Sequence, residues 1–345
     1  MRLTAEIRNS SRPGMPYWDN ANQWAKFVYK FRANSVLALK AIERGITPVE
    51  LLASRFPFLF ADWPKPPSMH IELTDACNLT CVYCNNPYFP YPRKVMTRAT
   101  LQALLRSLDG VTIGRICVGG GEPTLHPRFA EFASAIRTLC KILTIVTNGQ
   151  WTKRETAEVM LRTPFDLIEV SVDAGGKSGY ERSRVGASFE RLQNNLTSLL
   201  QLRKALQSRA LINIRLMMRP SQKLREAYEK KCWKSYCDSM MPQYVLQPND
   251  VPAQEDVYIS KYAEPGAYPR CTLPFRNLQV RANGDVPLCQ VSGSKLDSQG
   301  KLMLGNVNRD SILELWNSST LRQYRSAHRS GDARAMPACE GCAGC

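Results

Sequence analysis

Between residues 68 and 247, short β-type runs alternate with amphipathic helical stretches, and this alternation limits the fold more than any other feature of the chain. Strands are expected near His70 to Thr74, Arg115 to Val118, Leu143 to Thr147, Leu167 to Val172, Leu211 to Met217 and Gln243 to Leu246. Helices are expected between them, near Thr100 to Leu108, Arg128 to Leu139, Lys153 to Leu161, Phe189 to Gln207 and Lys223 to Tyr236. Six βα repeats are too few to close a standard eight-stranded barrel, so the expected fold class is α/β with an open or partial barrel. In such sheets, sites form at the carboxyl ends of the strands.

Two flanking regions complete the 345 residues, and the expected organisation is 1–66, 67–248 and 249–345. In the first, Trp24, Phe27, Val28, Phe31, Leu39 and Ile42 recur at helical spacing, and Gly45 stands where a helix would end. Thr47-Pro48-Val49-Glu50 is a capping box that opens a short helix through Ser54. Phe56 to Phe60 and the prolines at 64, 66 and 67 then read as a linker. The aromatic stripe either packs on its own protein or docks on a membrane surface or partner. In the last region, Leu278 to Arg281 and Val286 to Leu288 flank Asn283-Gly284 as a hairpin, and Ser311-Ile312-Leu313-Glu314 opens a helix toward Arg329.

A hydrophobic share of 44% with 22% charged residues is ordinary for a globular protein, and no apolar run approaches the roughly 18 residues of a membrane span. The N-terminus lacks the apolar core of a secretory signal, so the expected location is the reducing cytoplasm, where cysteines serve purposes other than disulfides. The formal net charge of +16 is spread along the chain. It serves solubility or an anionic partner, and since no nucleic-acid module signature is present, the favoured partner is a polar or anionic small molecule.

The twelve cysteines fall into three groups. Cys77, Cys81 and Cys84, spaced C-x3-C-x2-C, follow the first expected strand directly, so one loop can wrap three thiolates around an inorganic core. Three thiolates bind three irons of a four-iron cluster and leave the fourth iron open to a small chelating molecule. A structural zinc, the alternative, calls for four closed ligands. The second group is Cys271, Cys289, Cys339, Cys342 and Cys345, and the third is the scattered Cys117, Cys140, Cys232 and Cys237.

The CNLTCVYC stretch resembles the cluster loop of the radical S-adenosylmethionine (SAM) superfamily, and the resemblance runs through all six βα units. The GGGEP run at 119–123, Thr147-Asn148-Gly149 and Ser171-Val172-Asp173 follow in order at the ends of the second, third and fourth expected strands. The resemblance implies S-adenosylmethionine and a 4Fe–4S cluster on Cys77, Cys81 and Cys84 as cofactors. It implies that Gly120, Gly121 and Glu122 meet the methionine ammonium, that Asn148, Ser171 and Asp173 border the nucleoside, that Tyr83 packs the adenine and that Arg184 takes the methionine carboxylate. Glycine allows close backbone approach, and a guanidinium suits a carboxylate.

The C-terminal region is similar to a SPASM or twitch auxiliary-cluster domain, with Cys271, Gly284 and Cys289 spaced C-x12-G-x4-C. That resemblance implies one auxiliary 4Fe–4S cluster on Cys271, Cys289, Cys339 and Cys342, with Cys345 as a substitute ligand or a free thiol. Zinc remains a competitor at four thiolates. Cys117 and Cys140 are expected in the core, while Cys237, and after it Cys232, are the candidates to return a hydrogen atom to a substrate radical.

The implied activity is reductive cleavage of S-adenosylmethionine, with an electron from a flavodoxin- or ferredoxin-type reductant. Hydrogen would then be abstracted from a sugar, an aminocyclitol or a phosphate- or nucleotide-linked sugar, ending in dehydrogenation or epimerisation. A maturase that oxidises or crosslinks a ribosomal peptide is the alternative enzyme, and a metal-bound structural or nucleic-acid module is the non-enzymatic one.

Overall fold

The computed structural model describes residues 40–55, 58, 62–84, 86, 94–163, 165–218, 230–244, 271–289, 303–331, 336 and 339. The chain forms two compact units, Met1–Lys40 and Ala41–Cys345, and every described residue except Lys40 belongs to the second. Of the expected N-terminal stripe, Trp24, Phe27, Val28, Phe31 and Leu39 lie outside the described residues, and Ile42 is exposed.

The βα alternation builds one parallel sheet. Its strands are β1 (Ser68–Thr74), β2 (Ile113–Gly120), β3 (Cys140–Thr147), β4 (Leu167–Val172), β5 (Leu211–Met218), β6 (Ser239–Tyr244) and β7 (Asn277–Val280), ordered β6-β5-β4-β3-β2-β1-β7. The helices are α1 (Pro48–Arg55), α2 (Arg98–Ser107), α3 (Phe129–Arg137), α4 (Arg154–Arg162), α5 (Lys177–Ser183), α6 (Phe189–Ala205), α7 (Leu273–Arg276), α8 (Ile312–Trp316) and α9 (Ser319–Ser330). Residues alternate across each strand. Ile71, Val118, Ile145, Val170 and Ile214 are fully buried in one cluster with Leu104, Phe132, Met160 and Leu196 of the helices. Each such side chain contributes about 1.5–3 kcal/mol by leaving water. The opposite rows carry His70, Glu72, Arg115, Cys117, Glu169, Asn213 and Arg215, a polar face turned away from the helices.

Four expectations change. The sheet has a seventh strand, because β7 pairs with β1 in parallel (Ser68 with Asn277 through Ile71 with Val280) instead of forming a simple hairpin with β8 (Asp285–Pro287). The Asn283-Gly284 turn itself forms, with Gly284 at φ +90° and its amide bonded to Arg281 O at 2.9 Å, while β8 pairs antiparallel with β9 (Met303–Asn306). β6 starts at Ser239, four residues before the expected Gln243. The helix expected from Ser311 to the Arg329 region is two helices, broken at Asn317-Ser318. Of the helix expected from Lys223 to Tyr236, residues 223–229 lie outside the described set, and Lys234–Tyr236 is a 3-10 turn.

The segment before β1 is tied to the sheet. The Thr47 capping box closes, with Thr47 N to Glu50 Oε2 at 2.8 Å and Glu50 N to Thr47 Oγ1 at 3.2 Å, and Glu50 pairs with Lys141 at 2.8 Å. Arg44 reaches buried Asp166 at 2.6 Å, and the Trp316 indole donates to Trp63 O at 2.7 Å. Among the described residues, no helix is long and apolar enough to cross a membrane.

Candidate functional site

All seven strands run the same way, so the loops after β1, β2, β3 and β4 share one edge. The first two are joined through their backbones. Gly121 N donates to Thr74 O at 2.9 Å and Glu122 N to Ala76 O at 2.8 Å, just ahead of Cys77. Glycine is required here: Gly120 has φ +109°, and a Cβ on Gly121 would lie 2.2 Å from Ala76 O. The cysteine loop is held on its other side by the end of α5 and the chain just after it, where Val82 N donates to Ser183 O and Thr80 N to Val185 O, both at 3.0 Å.

Glu122 is 2% exposed and accepts from Thr147 Oγ1 (2.8 Å), Asn148 N (2.7 Å), Thr124 Oγ1 (2.7 Å) and Thr124 N (3.3 Å). Burial still holds its pKa above the usual carboxylate range, against the pull of these bonds. Its carboxylate therefore braces the loop after β2 against the loop after β3. Asn148 continues the connection, donating to Asn78 Oδ1 at 2.7 Å and to Cys77 Sγ at 3.8 Å. Gln150, which no sequence motif marks, is 1% exposed and links Tyr180 OH at 3.1 Å to the Ser188 backbone at 2.9 Å.

Asp173 is the hub at the end of β4. Arg184 Nε and Nη2 both converge on its Oδ1, at 2.9 and 2.7 Å, Tyr83 OH donates to the same oxygen at 2.9 Å, and Ser183 Oγ donates to Oδ2 at 2.7 Å. The Arg184 guanidinium also lies 5.7 Å from the centre of the Tyr83 ring. Arg184, expected to face a ligand carboxylate, thus has a protein carboxylate as its counter-charge. Ser171 is half-buried on the polar face, opposite Arg215 on β5.

The donor set on the first loop fits an iron–sulfur cluster. Cys77, Cys81 and Cys84 are partly exposed, and the amides of Leu79 and Asn86 point at the sulfurs of Cys77 and Cys84, each at 3.4 Å. Burial pushes the Cys81 thiol up to about 12 against the opposing pull of Arg184, and burial also raises Cys77. Thiols in this setting become thiolates when a cationic core takes the proton's place. A structural zinc would call for a fourth closing ligand beside these three thiolates.

In the C-terminal group, Cys271 is buried and Cys289 and Cys339 are half-buried, while Cys342 and Cys345 lie outside the described residues. Between Cys271 and Cys339 stands His328, 2% exposed, a residue that no motif marks either. Its signal is one of period: it lies seven residues after Leu321, in step with Tyr324 and Arg325 on the buried face of α9.

The structure moves Cys237 away from this edge, while Cys232 precedes Trp233, whose indole donates to Ala174 O just after β4 at 3.0 Å. Cys237 precedes β6, and Asp238 N bonds to Ile212 O at the start of β5, so Cys237 sits at the amino end of the sheet. Six residues at about 3.3 Å put it roughly 20 Å from the carboxyl end. Both cysteines pack against the hydrophobic core, and burial raises the Cys237 thiol to about 11. The physical reason is the parallel sheet itself: a residue just before a strand lies at the amino rim, opposite the edge that carries the site. Cys140 is buried as expected, and Cys117 lies half-buried on the polar face.

Residues 71–214 match the Radical SAM superfamily, and residues 271–343 match the iron-sulfur cluster-binding domain called SPASM. The chain thus carries a radical SAM domain followed by a SPASM domain. Its cofactors are S-adenosylmethionine and a 4Fe–4S cluster, with auxiliary iron–sulfur in the SPASM region. It is similar to the PqqA peptide cyclase of Gluconobacter oxydans (strain 621H), 32% identical over 122 residues, which are 34% of each chain. It is also 24% identical over 136 residues to a probable GTP 3′,8-cyclase of Methanothermobacter thermautotrophicus, covering 39% of this chain and 44% of that one. These matches span less than half of either relative's length. The solved structure of native anSMEcpe with bound AdoMet shares the fold, with a TM-score of 0.58 and 16% identity over 76% of this chain and 84% of that one.

Proposed function

We propose that this chain oxidises a polar substrate bearing an anionic group, in the class of sugars, aminocyclitols or phosphate- or nucleotide-linked sugars. The observation that carries the reading is the polar face of the sheet. There, Glu169 lies between two arginines, with Oε1 at 3.0 Å from Arg115 Nη2 and Oε2 at 3.2 Å from Arg215 Nη1. Two guanidinium groups share this carboxylate, and His70 beside them stays neutral, because burial, with Arg215 and Arg115 adding to it, lowers its pKa to about 4. Two arginines on one face suit an anionic group. Arg215 pairs with Ser171, two residues or about 7 Å below the Asp173 hub.

When bound, the cluster on Cys77, Cys81 and Cys84 with S-adenosylmethionine supplies a hydrogen-abstracting radical, and the cluster on Cys271, Cys289, Cys339 and Cys342 an electron acceptor. The chain's own residues bind and orient. Gly120 and Gly121 let the backbone come close to the methionine end, while Tyr83, Asn148, Ser171 and the Asp173–Arg184 pair wall the nucleoside. Glu122 and Gln150 hold those loops in place. With Cys237, the preferred hydrogen donor, at the amino end of the sheet, dehydrogenation is favoured over epimerisation. The reductant is a flavodoxin- or ferredoxin-type protein.

The second reading is modification of a peptide, favoured by the likeness of 122 residues to a peptide cyclase. One assay separates the two: deuterated sugar phosphates, aminocyclitols and candidate peptides are each incubated with reduced enzyme and S-adenosylmethionine. Deuterium in 5′-deoxyadenosine from a sugar-type substrate, with KM raised about tenfold or more in R215Q, is the expected result. Transfer from peptides alone would move the assignment to the second reading.

A further inference from the structure

We propose that His328 is a positioning residue of the auxiliary cluster, donating a hydrogen bond from Nε2 to the sulfur of Cys339 while its Nδ1 is anchored on the Cys271 backbone. The inference rests on the reading of Cys339 as a ligand of that cluster. Cys271 N lies 3.4 Å from His328 Nδ1, and Cys339 Sγ lies 3.3 Å from Nε2. A backbone amide can only donate, so Nδ1 must hold its lone pair toward Cys271, and the ring proton sits on Nε2. Nε2 then faces sulfur as a donor, so the tautomer is settled by the bond on the far side of the ring.

The ring is held firmly enough for this task. Arg325, one turn earlier on α9, donates from Nε to Pro274 O of α7 at 2.9 Å and lies 3.9 Å from the Trp316 ring centre. That contact docks α9 on the helix that follows Cys271. The 2% exposure of His328 removes competing water, which strengthens both of its bonds. His328 thereby ties together two cysteines 68 residues apart in sequence. A donor to a ligand sulfur draws electron density from the metal and stabilises the reduced state, so it raises the reduction potential.

The test uses the full chain with Cys77, Cys81 and Cys84 all replaced by Ala, so that the C-terminal cluster alone reports. Iron content and the midpoint potential from an EPR-monitored redox titration are measured for H328L, H328Q and C339A. The expected result is retained iron in H328L with a potential shifted negative, and recovery of most of the shift in H328Q, whose side-chain amide can donate to sulfur. Unchanged potential and iron in H328L would overturn the proposal. So would loss of iron from both His328 variants to the level of C339A, since that marks a ligand and not a donor. Should H328L fail to fold, 15N-histidine labelling of the parent protein decides: a weak nitrogen coupling to the reduced cluster that changes with the isotope is expected, and its absence overturns the proposal. Full auxiliary iron in C339A would instead sink the ligand reading, so the two failures are distinguishable.

Discussion

At the scale of single residues, the site depends on buried charges that answer one another. Asp173 and Arg184 are each 5% exposed at the side chain, so removing one leaves the other uncompensated. D173N should lower unfolding free energy by about 3–5 kcal/mol, and D173N/R184Q should recover part of that loss. Denaturant titration checks this, and a change below about 0.5 kcal/mol would contradict the pairing. His70 gives a prediction in pH. Its folded pKa, lowered to about 4, lies below the ordinary histidine value of about 6.5, so the fold holds the neutral ring. Its contribution is full above about pH 6.5 and is lost as pH falls toward 4. Wild type should therefore lose Tm more steeply than H70Q between pH 7 and pH 4.5, and parallel curves would contradict this. Residue identity makes Cys77, Cys81, Cys84 and Glu122 legible in the sequence. The partner of Arg184 is not legible there, since Asp173 and a ligand carboxylate look alike to a guanidinium until the geometry is known.

At the scale of elements, the helix-layer strands are readable because their apolar rows repeat every second residue. The start of β6 escapes such a reading for a physical reason: Pro242 reads as a strand breaker, yet β6 is the sheet edge, where a missing amide N–H is tolerated. Likewise, the Asn283-Gly284 turn is a local signal, whereas the pairing of β7 with β1 joins segments some 200 residues apart and leaves no local trace. Ser311 illustrates a motif without its bond. No side-chain cap forms there, and the Ile312 amide is instead taken by Ser107 Oγ at 2.6 Å. Trp316 joins three of these elements through Trp63 O, Arg325 and the core. W316A should cost about 3–5 kcal/mol and raise hydrogen exchange in α9 and at residues 62–66 together. Exchange confined to α9 would show that the segment before β1 is held without it.

At the scale of the whole molecule, one parallel sheet sets the chemistry. Its carboxyl edge gathers Cys77 to Cys84, Gly120 to Glu122, Asn148 and Asp173, and its polar face carries Arg115 and Arg215, both paired with Glu169, below them. The net charge of +16 is consistent with an anionic substrate, but only the placement of those two arginines says where it would sit. The order of motifs along the chain is enough to foresee the edge, because parallel βα units place every strand's carboxyl end together. Cys237 lies far from it because it stands just before β6 in a parallel sheet. The most direct test of the central claim is iron and acid-labile sulfide per chain after anaerobic reconstitution, in wild type and in the Cys77/Cys81/Cys84→Ala triple variant. The expected result is about eight irons falling to about four, with loss of 5′-deoxyadenosine formation in the variant. No iron in wild type, or an iron count that the triple replacement leaves unchanged, would contradict it.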